Sequence, residues 1–335
     1  MGVVDRTRGL ARTAALGAVA AAGTLAVAAR TTPWPSALAL RAVFHRGATR
    51  TSTALERHVP RDLVEVVGEA YDIASPDGRL DVFRSGCDEA LPTVVWVHGG
   101  AFVSGSKADV ANYLRVLAGR GLATVGVDYS IAPGSRYPTP VKQVSAALAH
   151  LVDHADRLGI DPGRVVLAGD SAGAQIAAQV ALLITDPSYA REVGIDVELP
   201  PSALSGLVLF CGAYDFTLAR GSGRLGTWLI DTAIWSYLGS TRRHDRRTTR
   251  EGSVGVHVPP SFPPTFVSAG NGDPLLPHTL GLVKALELHG VDHDTMLFPD
   301  DHDPRLPHEY QFDLDTPDGR EALDRVVAFV HRVAG

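Results

Sequence analysis

The residues best able to do chemistry in this chain are a serine set between glycines, a glycine-rich loop upstream of it, and several aspartates and histidines downstream. Ser171 lies in Gly169-Asp170-Ser171-Ala172-Gly173, directly after the apolar run RVVLA and directly before the helical run AGAQIAAQVALLI. A strand, a sharp turn and a helix in that order present a serine in strained backbone geometry, with its Oγ exposed at the helix N-terminus. The flanking glycines fit this setting, because side chains at 169 and 173 would collide with the adjoining strand and helix. With 34 glycines in 335 residues the bare pattern is weakly specific, so its weight comes from the strand and helix around it.

A second stretch, His98-Gly99-Gly100-Ala101-Phe102, follows the apolar run TVVWV at 93–97. A loop short of bulky side chains can turn its N–H groups inward, so the N–H groups of Gly100, Ala101 and Ala172 form the candidate oxyanion hole. His98 reads as a structural residue pinning this loop. A serine hydroxyl is a poor nucleophile at neutral pH; it needs a histidine to take its proton and a carboxylate to orient that histidine. In serine sites built on this turn, the acid and then the base follow the serine along the chain. Asp273, just past TFVSAG at 265–270, is the candidate acid; Asp215, after LVLFCG at 207–212, is the alternative and otherwise reads as a cap or turn residue. Two histidines compete for the base on the loop after DTMLFP at 294–299. His302 lies nearer the strand end but among Asp300, Asp301 and Asp303, which would hold its ring protonated. His308 lies among Leu306, Pro307, Tyr310 and Phe312, which can desolvate it. These neighbours favour His308, with His302 as the alternative. His278, His289 and His293 fall on or near the preceding helix and read as surface residues.

Such groups need a sheet to hold them. From residue 64 onward, short β-branched runs alternate with amphipathic stretches, which predicts a mostly parallel sheet with helices on both faces. The first two runs, 64–74 and 80–84, flank Ser75-Pro76-Asp77-Gly78 and predict an antiparallel hairpin. Six more strands are expected at 93–97, 123–129, 164–169, 207–212, 265–270 and 294–299, eight in all. Helices are expected at about 109–119, 140–157, 172–185, 277–290 and 320–332. The connection at 216–263 is too long for an ordinary loop, and its Trp228, Leu229, Ile230, Ile234, Trp235 and Tyr237 suit either a lid or simple packing on the sheet. The expected organisation is a hydrophobic segment at 1–30, a helical cap region at 31–63, and a catalytic domain at 64–335 with a cap insertion at 216–263.

Composition narrows the function classes. The chain is 45% hydrophobic and 20% charged, ordinary for a globular α/β protein, and a net charge of −6 with scattered cations leaves no footprint for nucleic acid. The basic run at 242–250 reads as a solvated loop, with contact to a membrane surface as the alternative. Cys87 and Cys211 have neither metal-ligand nor redox spacing, so no disulfide framework is expected, and the redox compartment stays open. At the N-terminus, Arg6, Arg8 and Arg12 precede an uncharged Ala/Gly/Val/Leu stretch at 13–29. This predicts a membrane anchor or, with Ala26-Val27-Ala28 as cleavage pattern, an export signal. Either would put the catalytic domain outside the cytoplasm; a helix packed over a cytoplasmic domain is the alternative.

At these motifs the chain resembles the hormone-sensitive-lipase-like esterases, which pair an HGGGF-type loop with GDSAG. VDYSIAP at 127–133 and GNGDPLLP at 270–277 are similar to two further stretches of that family, and 306–312 is similar to its His-Gly-Phe placement; the resemblance spans 90–335. Ala101 departs from the family's third glycine, and Gln143 stands where an acidic residue is usual. The resemblance implies an α/β-hydrolase fold and a serine carboxylic-ester hydrolase that works through an acyl-enzyme on uncharged, short to medium-chain esters. Ser171, Asp273 and His308 would be its catalytic residues, a small-molecule ester its partner, and no metal or organic cofactor is implied. An amidase or peptidase would use the same groups, and a ligand-binding protein that lost turnover would keep the fold. The oligomeric state is not legible in the sequence.

Overall fold

Eight strands form one sheet: β1 (Leu63–Ala70), β2 (Arg79–Ser85), β3 (Leu91–Val97), β4 (Ala123–Val127), β5 (Ile160–Asp170), β6 (Gly206–Phe210), β7 (Thr265–Ala269) and β8 (His293–Leu297). Their order is β1-β2-β4-β3-β5-β6-β7-β8. β1 with β2 and β2 with β4 pair antiparallel, and every other neighbouring pair is parallel. These are the eight strands expected, although β1 stops at Ala70 because the N–H groups of Tyr71 and Asp72 turn back onto the Gly78 carbonyl, at 3.1 and 3.3 Å. The structure is a computed structural model describing residues 27–335 except 88, 196, 198, 219–222 and 241–245. The expected anchor or signal therefore lies outside the described residues but for 27–29, as does most of the first half of the basic run. Among the described residues no helix is long and apolar enough to cross a membrane.

Side chains alternate across each strand, and both faces are covered. In β3, Val94 and Trp96 join one core with Val166, Val208 and Phe266, while Val95 and Val97 join the other with Val125, Leu167 and Leu209. A sheet buried on both faces reads as continuous apolar runs, as the central strands β3, β4, β6 and β7 do. The first core is closed by α2 (Lys107–Ala118) and α10 (Pro317–Ala334), the second by α3 (Thr139–Asp153) and α5 (Ser171–Thr185). In α10, Ala322, Leu323, Val326, Phe329 and Val330 form the stripe that meets the sheet, and the Thr316 hydroxyl caps its start by accepting from the Gly319 N–H at 3.1 Å. α5 is buried along its whole length, which explains its unbroken apolar character.

The single helix expected at 140–157 is two, α3 and α4 (Ala155–Leu158), separated at His154. α6 (Pro187–Val193), α7 (Gly223–Leu238), α8 (Arg246–Glu251) and α9 (Leu276–Leu288) complete the labelled helices, together with α1 (Trp34–Leu55). The described part of the basic run is thus helical rather than a solvated loop: Arg247 Nε reaches Glu251 at 2.5 Å, and Thr249 and Glu251 are buried. α1 and α7 pack on each other and line the cavity into which Ser171 opens. Arg41 ties α1 to the loops beneath by donating to the carbonyls of Val103 at 2.6 Å and Ala132 at 2.9 Å.

Candidate active site

β5 runs into α5 without a loop, and the turn between them is Ser171, held at φ +52°. That backbone region is uncommon for a residue with a side chain, and it aims the hydroxyl away from the strand. A Cβ on Gly169 would stand 2.7 Å from the Gly173 carbonyl carbon, and one on Gly173 would stand 2.0 Å from the Val97 oxygen. Both positions therefore admit no side chain, and the start of α5 is pressed against the end of β3.

Two loops bring partners to this serine. Asp273 sits in the turn after β7, where its N–H reaches the Gly270 carbonyl at 3.1 Å and its Oδ1 accepts from the Leu275 N–H at 2.8 Å. His308 arrives on the loop after β8. Its Nδ1 lies 2.9 Å from Asp273 Oδ1 and its Nε2 lies 2.9 Å from Ser171 Oγ. A carboxylate only accepts, so Nδ1 carries the proton and Nε2 offers a lone pair to the serine hydroxyl. Burial alone would push the imidazole down; the Cys211 sulfur, the Asp273 hydrogen bond and the Glu309 charge outweigh it and hold the ring well above the ordinary histidine value.

The loop after β3 forms the next wall. Gly100, Ala101 and Phe102 have φ of +112°, +52° and +63°, three left-handed residues in succession. Among the described residues, the N–H groups of Gly100 and Ala101 meet no protein acceptor, while the Gly100 carbonyl takes the N–H groups of Val103 and Ser104 at 3.1 and 2.9 Å. Ala172 lies in the first turn of α5, whose N–H groups have no helical partner. His98 is buried, donates from Nδ1 to the Gly99 carbonyl at 2.8 Å and stacks on Tyr129 with centroids 4.3 Å apart. Burial pushes its pKa down to about 4, so it stays neutral. Gln143 accepts from the Ser130 N–H at 2.8 Å and donates to the hydroxyls of Ser130 and Ser75, a bridging task that an amide performs without charge.

The alternatives are engaged elsewhere. Asp215 Oδ1 accepts from the Thr217 N–H and hydroxyl at 2.8 and 2.6 Å, the geometry of a turn residue. The His302 ring lies against Phe298 and 3.2 Å from Asp318 at the start of α10. His278 is not a surface residue: it is 2% exposed, and its Nδ1 accepts from the Asp215 N–H at 3.3 Å. His293 opens β8 instead of lying on the preceding helix.

Two neighbours escaped the sequence reading. Cys211, at the end of β6 with φ +46°, is buried beside His308, and burial pushes its thiol up to about 11. Glu309, at φ +60°, places Oε1 3.7 Å from His308 Nε2 and lies beside Asp170 next to Gly99. Asp170 also accepts from Trp96 Nε1 at 2.7 Å. Burial, then the Glu309 carboxylate, hold Asp170 well above the usual carboxylate range. The only sequence signal for Glu309 was its departure from the glycine of a His-Gly-Phe stretch. These groups open on a cavity of about 470 Å³, within the range of small-molecule sites, with Phe44, Leu229, Ile230 and Phe312 among its walls.

A mostly parallel eight-stranded sheet, covered on both faces, with a serine at the strand–helix turn and an aspartate and histidine on later loops, defines an α/β hydrolase. Residues 94–303 match the family described as the alpha/beta hydrolase fold, and the chain belongs to it. It is similar to an esterase of Pyrobaculum calidifontis, with 23% identity, TM-score 0.70 and coverage of 89% of this chain and 94% of that one. It is similar to Esterase B of Lactobacillus rhamnosis in a form inhibited by a tributyrin phosphonate, with 21% identity, TM-score 0.76 and coverage of 89% and 96%. A fungal esterase of Rhizomucor miehei gives 25% identity, TM-score 0.68 and coverage of 88% and 91%. The chain is thus an α/β hydrolase, similar in fold to these esterases.

Proposed function

We propose that this chain is a serine carboxylic-ester hydrolase that forms an acyl-enzyme on Ser171. The observation that carries the reading is the hydrogen-bonded line from Asp273 through His308 to Ser171 Oγ, 2.9 Å at each step, ending at an apolar cavity. As Oγ attacks the ester carbonyl, His308 Nε2 takes its proton, and Asp273 stabilises the imidazolium. The N–H groups of Gly100, Ala101 and Ala172 receive the negative oxygen of the tetrahedral intermediate. His308 then gives the proton to the departing alcohol, and water repeats the sequence to release the acid. The cover formed by α1 and α7, from the regions 31–63 and 216–263, acts as the lid and supplies the apolar wall for short to medium acyl chains. A relative with a phosphonate inhibitor of tributyrin type is consistent with this acyl range.

The test is a series of nitrophenyl esters of rising acyl length, each paired with the matching anilide. Turnover of the short and medium esters, at least about a thousandfold faster than their anilides, is expected. Equal or faster anilide cleavage would make the chain an amidase.

A further inference from the structure

The charges around the cavity are one-sided. Asp109, Asp170 and Glu309 line it together with His98 and His308, and among the described residues no lysine or arginine does. Asp109 is spent locally, accepting from the Ser106 N–H at 3.0 Å in the cap of α2. Asp170 accepts from Trp96 Nε1 at 2.7 Å on one side and lies beside Glu309 on the other. Glu309 is the member that reaches solvent, with its side chain 36% exposed, and it meets no lysine or arginine within salt-bridge distance among the described residues.

We propose that the site prefers esters whose alcohol half carries a positive charge, with an ammonium group held against Glu309 and Asp170. This rests on the reading of Ser171 and His308 given above, and it departs from the uncharged esters expected from the sequence. Glu309 Oε1 stands 3.7 Å from His308 Nε2, the nitrogen that protonates the departing alcohol, so the charge lies on the alcohol side. An ammonium a few bonds from the ester oxygen comes within reach of it. Phe44 and Phe312 line the same cavity, and aromatic rings attract cations to their faces. In an apolar surrounding the attraction is far less screened than in water, and a carboxylate-bearing ester would meet the same field as repulsion.

The experiment compares kcat/KM for acetylcholine, its uncharged carbon isostere dimethylbutyl acetate, and an acetate ester carrying a carboxylate, using wild type, Glu309→Gln and Glu309→Gly. The glycine variant also relieves the left-handed backbone at this position, so it serves if the glutamine variant folds poorly. The ratio between cationic and neutral substrates cancels any loss common to both. Wild type should favour the cation by at least about tenfold and use the anion least, and both variants should bring the ratio within about threefold of unity. A wild-type ratio at or below one, or a ratio unchanged in both variants, overturns the proposal. Calorimetric titration of Ser171→Ala with the choline ester and its isostere reads the same preference without turnover. Cation preference there, lost in the double variant with Glu309→Gln, upholds the subsite even if hydrolysis is absent and the esterase reading fails; equal binding of the two ligands overturns it.

Discussion

Glycine behaves in opposite ways on the two sides of the cavity. On the sheet side, an added Cβ would come to 2.2 Å from Asp170 Oδ2 at Gly99, 2.2 Å from the Ser104 carbonyl at Gly100 and 2.0 Å from the Val97 carbonyl at Gly173. On the covering side, Gly47 of α1 has nothing within 4 Å. The reacting groups therefore stand on backbone packed without slack, whereas the wall that would receive the substrate has room. Protein interiors transmit even a methyl group's worth of strain, so only the first side fixes its groups to the tolerance that chemistry needs.

The sharpest way to break that comparison is to disturb the charge behind the base. Asp273→Asn should lower kcat by about 10⁴, because the histidine loses its orienting carboxylate. Asp215→Asn should leave kcat within roughly tenfold, as it removes only a turn contact. His308→Gln should cost about a thousandfold or more, and His302→Gln should stay within roughly tenfold, with folding checked by thermal melt; the reverse ranking would move the base to His302. The acid limb of kcat/KM checks the electrostatics. The base works when neutral, and the Asp273 and Glu309 carboxylates beside it favour the protonated form, so activity should fall as the pH drops through a value above 6.5. A half-point below 6.5 would contradict that environment. The smallest effects compare the two sides directly by thermal unfolding. Gly173→Ala should destabilise the fold by roughly 1–3 kcal/mol through overpacking. Gly47→Ala should stabilise it by about 0.5–1 kcal/mol, the gain from replacing glycine inside a helix with open space around it.

What the sequence made legible follows the same division. The central strands could be read because both of their faces are buried, and the Ser171 turn and the loop at 98–102 could be read because their backbone demands are local. Groups set by long-range packing could not. His302 and His308 were weighed on their neighbours in sequence, acidic for one and apolar for the other. In the structure His308 faces Asp273 and Glu309, with Cys211 at its side, and is as surrounded by acidic groups as His302. Reach separates them: one ring points at Ser171, the other at Asp318. His278 looked superficial because its helix has exposed neighbours, yet the turn at Asp215 folds over it. The helices of the connection at 216–263 gave only a composition, since their apolar residues serve the sheet, the cavity and the surface in turn.

The central claim is that Ser171 is the nucleophile of an acyl-enzyme. Its most direct test is labelling of the full chain with a fluorophosphonate, read by intact mass and by mapping the modified peptide. One adduct per chain is expected, on the peptide carrying Ser171, with none in Ser171→Ala although its thermal melt matches that of the unmodified chain. Labelling of another serine, or undiminished labelling of Ser171→Ala, would contradict the account.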